Sequence, residues 1–337
     1  MTNYNIIKIS EVGADQLLEF YKKAFYHRHK ILNKHWKWIY RNKYLGFETL
    51  VLIKDQKVIG QAGLIPTKIQ INKEILPAAW FVDFAILPEH QRKGYGTALT
   101  KEWMKISPNQ ITFCNNKSLK IFRSFGWNSN KNSKSIAKII DPIKFIYFLR
   151  NFKNNYFSKF YKKNLSNKLD NIGLIKPYSI KNNYKDLFES FKKRKNNFLG
   201  TVLRDEDWLN WRIMECPFRE NIYFFEYKGS FAIVHVSINK NVKRLNILYC
   251  YNLNDSNEEI LIKLVYKWAL DNSVDLIWGN SNEKDVIKKY EKIFTNRFTK
   301  NLNFASWSVN KKIQPDLSDL QAVDSDNDTS LINDSNL

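Results

Sequence analysis

The sequence predicts an α+β fold made of two successive units, each a mixed, mostly antiparallel sheet flanked by helices. Three observations carry this expectation. The first 105 residues run through strand, two helices, three antiparallel strands, turn and helix. Residues 208–278 pass through the same kinds of element at matching spacing, which reads as a tandem repeat. The composition, 44% hydrophobic and 15% aromatic over 337 residues, is that of a folded chain long enough for two cores.

In order along the chain, Asn5 to Ser10 reads as the first strand. Leu18, Tyr21 and Phe25 then recur at spacings of three and four on one helical face. His35 to Tyr40 forms a second, aromatic-rich helix that ends near Gly46. Strands follow at Thr49 to Lys54 and Val58 to about Ile71, divided by the turn Asp55-Gln56. After the turn Asn72-Lys73, the apolar run from Ala79 to Leu87 is a buried central strand, and Pro88 ends it.

The stretch around which the chain is organised comes next. Gln91-Arg92-Lys93-Gly94-Tyr95-Gly96 leads into a helix from Thr97 to Lys105. Two glycines allow a tight turn and a close backbone approach to a ligand. At a helix N-terminus the orphan N–H donors and the dipole favour an anion, and Arg92 and Lys93 add positive charge there. A dinucleotide fingerprint would need a third glycine near Leu99, and a P-loop would need Gly-Lys-Ser/Thr, so both are excluded.

With Gln-x-x-Gly-x-Gly between a strand and a helix, the chain resembles the GNAT superfamily of N-acetyltransferases. A second match lies about 20 residues on, where Asn115, Ser118, Phe122, Gly126 and Trp127 follow the strand Ile111-Thr112-Phe113. The resemblance implies that Gln91, Arg92, Lys93, Gly94, Tyr95, Gly96 and Thr97 hold the diphosphate of coenzyme A. It further implies a central strand splayed from its neighbour, pantetheine pairing with the backbone of Ala85, Ile86 and Leu87, a contribution from Asn115, and acetyl-CoA as acyl donor. One departure matters: Phe122 stands where many members carry a tyrosine general acid, and a phenyl ring has no proton to give.

Acyl transfer to an amine also needs the amine neutral when it attacks. Asp83 is the sole carboxylate of the central strand and the candidate base, unless it points to solvent or pairs with a lysine. Cys114 reads as a buried structural cysteine. Trp36 and Trp38 lie in the helix that often lines the acceptor pocket in this family, and could stack on a sugar ring or cap an ammonium. Ordinary core packing is the alternative. The acceptor class is a small amine such as an amino sugar or amino acid derivative.

The repeat begins again at Trp208-Leu209-Asn210-Trp211-Arg212. Placing Trp38 on Trp211 puts Leu50 on Tyr223 without a gap. Its central strand is Leu245 to Cys250, but the following loop Tyr251 to Asn257 has no glycine and no basic residue, and Asp255, Glu258 and Glu259 repel a diphosphate. The units are therefore 1–140, which binds the donor, and 179–312, which is degenerate. Between them, 141–178 is a basic aromatic linker expected to be helical. From Lys144 to Lys168 it holds seven basic residues and no acidic one. From 313 onward the chain reads as a disordered acidic tail.

The net charge is +21, and scattered lysines and asparagines make it a solvated surface. The alternatives it keeps open are tRNA-dependent aminoacyl transfer or nucleic-acid binding through the aromatic linker, and a non-catalytic tandem scaffold. Three cysteines without paired spacing fit a reducing, cytoplasmic setting. No run reaches the length of a membrane span, and no metal is expected, His27-x-His29 included.

Overall fold

A computed structural model describes residues 4–26, 28–41, 43–150, 178–179, 200–239, 242–251, 255–281, 287–288, 290–291, 297–318 and 320. His27, the linker beyond Arg150, the loop residues Asn252 to Asn254 and the tail beyond Leu320 lie outside them. The first part of the chain comprises β1 (Tyr4–Lys8), α1 (Ala14–Ala24), α2 (His29–Ile39), β2 (Leu50–Lys54), β3 (Lys57–Ile71), β4 (Glu74–Ile86), α3 (Tyr95–Trp103), β5 (Asn109–Cys114), α4 (Asn116–Ser124) and β6 (Asn128–Ile139). After α5 (Pro142–Arg150) come β7 (Tyr178–Ser179), β8 (Gly200–Val202), α6 (Glu206–Leu209, continued by a π turn to Met214) and β9 (Ile222–Tyr227). The chain goes on through β10 (Ser230–Asn239), β11 (Val242–Tyr251), α7 (Asp255–Asp271), β12 (Leu276–Ser281), β13 (Arg297–Ser308) and α8 (Gln314–Ser318).

All strands join one sheet in the order β1-β2-β3-β4-β5-β13-β6-β12-β11-β10-β9-β7, with β8 added to the edge of β3. Side chains alternate across it, as a strand's period of two requires. Leu64 and Phe81 enter the core beneath α3 and α4, while their neighbours Ile65 and Trp80 enter the core beneath α1 and α2. Because β3 is buried on both faces, its sequence is continuously apolar through the middle rather than alternating.

The pairings repeat. β2, β3 and β4 are antiparallel and β5 joins β4 in parallel; β9, β10 and β11 are antiparallel and β12 joins β11 in parallel. The two strands between them are exchanged. β13, late in the chain, pairs with β5, and the earlier β6 pairs with β12, while β6 and β13 pair with each other along the centre. Residues 1–140 therefore do not close a sheet by themselves.

A second link is chemical. Trp38 and Trp211, the residues that the sequence repeat superimposes, donate indole N–H groups to each other's backbone carbonyls at 2.8 and 2.7 Å. Around them Trp208, Leu209 and Trp211 share one core with Ile31, Leu32 and Ile39 of α2. Lys68 of β3 adds ion pairs to Asp205 (3.0 Å) and Asp207 (2.9 Å), and its hydrogen bonds to these carboxylates outweigh burial and raise its pKa.

Two expectations about the flanking segments change. The described start of the basic aromatic stretch is built into the fold: Phe145 is buried against Ala137, Val242 and Leu276, and Lys144 pairs with buried Asp275 at 3.0 Å. The acidic tail does not begin at 313. Gln314 accepts from the Ser308 amide at 2.6 Å and donates to the Ser306 carbonyl at 2.9 Å, and Leu317 and Leu320 are fully buried. The aspartate count hid two core leucines at helical spacing.

Since β5 needs β13 and β12 needs β6, a chain truncated at residue 140 should fail to give a cooperative thermal transition. Residues 1–150 co-expressed with 178–337 should instead purify as a complex with a single transition. A stable, well-dispersed 1–140 fragment by NMR would contradict this account.

Candidate active site

β4 and β5 pair over Ala79–Gln110 and Trp80–Ile111 and then part. At the apex Thr112 Oγ1 donates to the Phe81 carbonyl at 2.8 Å, a lone side-chain bridge where ladder bonds would continue. Further along, Gln91 Nε2 donates to the Ile86 carbonyl at 2.9 Å. In an extended strand the N–H and C=O of one residue point to the same side, so the Ile86 amide also faces the gap. Beyond the apex lies a cavity of about 400 Å³. Its wall takes Phe81, Phe122 and Ile121 from the α3–α4 side and Trp80 and Phe113 from the α1–α2 side, so it opens through the sheet.

A bulge sets the geometry of β4. Gly63 faces Val82 and Gln61 faces Ala85, which leaves Asp83 and Phe84 opposite Ala62 alone. Asp83 sits there at φ +43°, a conformation that costs a non-glycine residue about 1–3 kcal/mol. Its carboxylate turns into the cavity wall, where its side chain is 7% exposed. Arg28, at the start of α2, clamps it bidentately with N···O distances of 2.6 and 3.2 Å, and Tyr40 Oη donates at 3.0 Å. Behind Tyr40, Gln61 Nε2 donates to its hydroxyl at 2.8 Å and Tyr21 donates to Gln61 Oε1 at 3.1 Å. Burial, reinforced by the Asp83 charge, raises the Tyr21 pKa above its ordinary value, so this donor stays protonated.

The loop Gln91 to Gly96 closes the other end. Gly94 has φ +83° and caps α3 with no side-chain hydrogen bond, and a Cβ there would meet nothing within 4 Å. At Gly96 a Cβ would lie 3.4 Å from the Phe84 ring, so this glycine lets α3 approach β4 closely. A second cavity, of about 430 Å³, is lined by Ala85, Ile86, Gln91, Arg92 and Gly96. Lys23 of α1 lines it too, a cation that nothing in the local sequence marks out. Phe84 lines both cavities, which makes them successive parts of one channel along β4. An open helix N-terminus with cations around it suits the diphosphate of a coenzyme A thioester.

The other expected residues divide by what their side chains already do. Thr97 is exposed in the first turn of α3, and Lys93 Nζ reaches back to the Glu89 carbonyl at 2.8 Å. Tyr95 is buried edge-on against Tyr4, so only its backbone can serve a ligand, and Leu87 is buried as well. Asn115 lines the larger cavity, but its Oδ1 caps α4 by accepting from the Lys117 and Ser118 amides. Trp36 and Trp38 are not among the cavity-lining residues; they pack against the shared core, and Trp38 is committed to Trp211. Phe122 meets Phe81 edge-on at 5.2 Å in an aromatic cluster with Trp127. In the second half the equivalent bulge of β11 holds buried Leu248 in place of a carboxylate.

Cys114 ends β5 on the cavity wall, and burial pushes its thiol from the ordinary 9.0 up to about 12. At pH 8 its thiolate fraction is thus roughly a thousandfold below that of a free cysteine. It should resist iodoacetamide at pH 8 in the native protein and label on unfolding, as peptide mass spectrometry would show. Asp83→Asn leaves Arg28 without its counter-charge and should destabilise the fold by about 2 kcal/mol in urea titration; an unchanged midpoint would show that the clamp is slack.

Among the described residues no cluster of metal-ligating side chains occurs, and no helix is long and apolar enough to cross a membrane. Residues 5–129 match the family model for the acetyltransferase (GNAT) domain. No curated protein matches the chain in sequence. Its fold is similar to a GCN5-related N-acetyltransferase from Anabaena variabilis (TM-score 0.57, 15% identity, 91% of this chain and 73% of that one). It is also similar to Saccharomyces cerevisiae N-myristoyltransferase with bound myristoyl-CoA (TM-score 0.61, 10% identity, 91% and 83%) and to a GCN5-related N-acetyltransferase from Kribbella flavida (0.56, 11%, 90% and 70%). With the glycine turn at the head of α3 and the parted strands both inside the matched range, residues 5–129 are a GNAT acetyltransferase domain, and the protein is an N-acyltransferase of that superfamily.

Proposed function

We propose that the protein transfers an acyl group from an acyl-CoA to a small primary amine, an amino sugar or amino acid derivative being the class favoured. The observation that carries this reading is the continuous channel along β4, with cations and an open helix N-terminus at one end and the Arg28–Asp83 clamp at the other. Bound in it, the thioester would supply the activated acyl group; acetyl-CoA is the shortest donor that satisfies the site.

Arg92, Lys93 and Lys23, with the backbone of Gly94 to Thr97, would hold the diphosphate. Ala85, Ile86 and Leu87 would guide the pantetheine arm, and the Ile86 N–H is positioned as a donor for negative charge developing at the acyl oxygen. On the α2 side the acceptor meets Asp83. A carboxylate that accepts from a bidentate arginine and a tyrosine is stabilised in its charged form and is a poor free base. Asp83 would therefore draw in and orient the ammonium, with water taking the proton. Phe122 and Cys114 offer no ready proton to the departing sulfur, whose thiol has an ordinary pKa of ~8.5 and can leave as thiolate.

The second half repeats the strand order but has Leu248 at its bulge and acidic residues after β11, so we assign it structural support and cover for the acceptor. The protein would act in the cytoplasm, where its three cysteines remain free. Titration calorimetry should give one coenzyme A per chain. Gly94→Glu, which forces a side chain into φ +83° and adds negative charge, should weaken binding at least tenfold. Two molecules per chain, or binding indifferent to Gly94→Glu, would overturn the site.

A further inference from the structure

We propose that the natural donor carries an acyl chain longer than acetyl, seated in the cavity among Trp80, Phe81, Phe113, Ile121, Phe122 and Leu302; this rests on the acyl-CoA reading above. Size is the first argument. A cavity of about 150 Å³ holds benzene, so about 400 Å³ leaves room for about four to eight carbons beside the thioester end of the donor.

Lining is the second argument. The polar groups of the wall are largely spent within the protein. Asp83 is clamped by Arg28 and Tyr40, Thr112 donates to the Phe81 carbonyl, and Asn115 caps α4. What the wall still offers is apolar area. Trp80 stacks on Phe113 at 5.5 Å, and Phe81 meets Phe122 edge-on at 5.2 Å. A hydroxyl at position 122 would put a polar atom on this wall; phenylalanine removes it. An acetyl group would leave most of the aromatic surface against water, whereas an alkyl chain covers it.

The mouth is the third. Phe84 and Ile121 line the cavity and are 38% and 56% exposed, a costly display unless a ligand covers them. Ile121 stands on the outer surface of α4, beside the exposed turn that leads into α3.

The test is calorimetric and needs no acceptor. The full-length protein is titrated with coenzyme A and with its acetyl, butanoyl, hexanoyl and octanoyl thioesters. Each fully buried methylene contributes ~0.8 kcal/mol, or about fourfold in affinity, so hexanoyl-CoA should bind at least tenfold tighter than acetyl-CoA. Leu302→Trp and Ile121→Trp, placed on different elements and checked for folding by thermal melts, should each remove most of that gain. If coenzyme A binds but affinity is flat or falls beyond acetyl, the proposal fails while the acyl-CoA reading stands. A chain-length gain that both variants leave intact would put the chain elsewhere and overturn the assignment of this cavity. Failure of every thioester and of coenzyme A itself to bind would overturn the parent reading and this one together.

Discussion

The site depends on β4 and β5 pairing for two residues and then separating. A parallel ladder that continued would consume the backbone groups of β4 and leave no room between the strands. Separation exposes that edge, and the protein answers with side chains: Thr112 on the Phe81 carbonyl and Gln91 on the Ile86 carbonyl. β5 can diverge from β4 without becoming a loose edge because β13 holds its other side along its whole length, Asn109 to Cys114. Asn303 of β13 adds bonds to the Cys114 carbonyl and to Asn116, fixing the end of β5 where the cavity is widest. The gap in the first half is thus held open by a strand from near the far end of the chain.

Duplication and exchange explain why one fold repeat works and the other supports. Both halves keep the parallel pair and the bulge, since these are backbone features that many sequences can satisfy. Binding an anion is more demanding. It needs glycine at a positive φ, cations nearby and an uncapped helix start, and residues 91–97 provide all three. Exchanging β6 and β13 ties the second half to the first, so it is retained for the sheet it completes even where its own bulge carries Leu248.

How much of this was legible follows from range. The loop was readable because its chemistry is contiguous, Gly94 and Gly96 within one turn. The Trp38 and Trp211 spacing exposed the duplication, but their mutual hydrogen bonds span 173 residues and leave no local mark. Asp83 stood out as the lone carboxylate of its strand; its partner Arg28, 55 positions away, did not. β6 and β13 were missed for a physical reason. They lie at the centre of the sheet yet are rich in serine, asparagine and lysine, and Ser133, Ser135, Ser306 and Ser308 are buried there. Small polar residues at a crowded centre defeat a search for alternating apolar ones.

The strain at Asp83 shows how the acceptor wall and the core are one device. Holding a β-strand residue at φ +43° is unfavourable, and a bulge alone does not require an aspartate. The cost is offset by the Arg28 clamp and by the chain from Tyr40 through Gln61 to Tyr21, whose last two members are fully buried. Each link satisfies a polar group that would otherwise be stranded in the core beneath α1 and α2. The carboxylate is therefore fixed by α1, α2 and β3 together rather than by its own strand. Phe84, the next residue in the same bulge, sits against Gly96 at the head of α3. One irregularity in β4 thus places the acceptor-facing charge and sets how closely the phosphate-binding helix can approach, and neither can shift without the other.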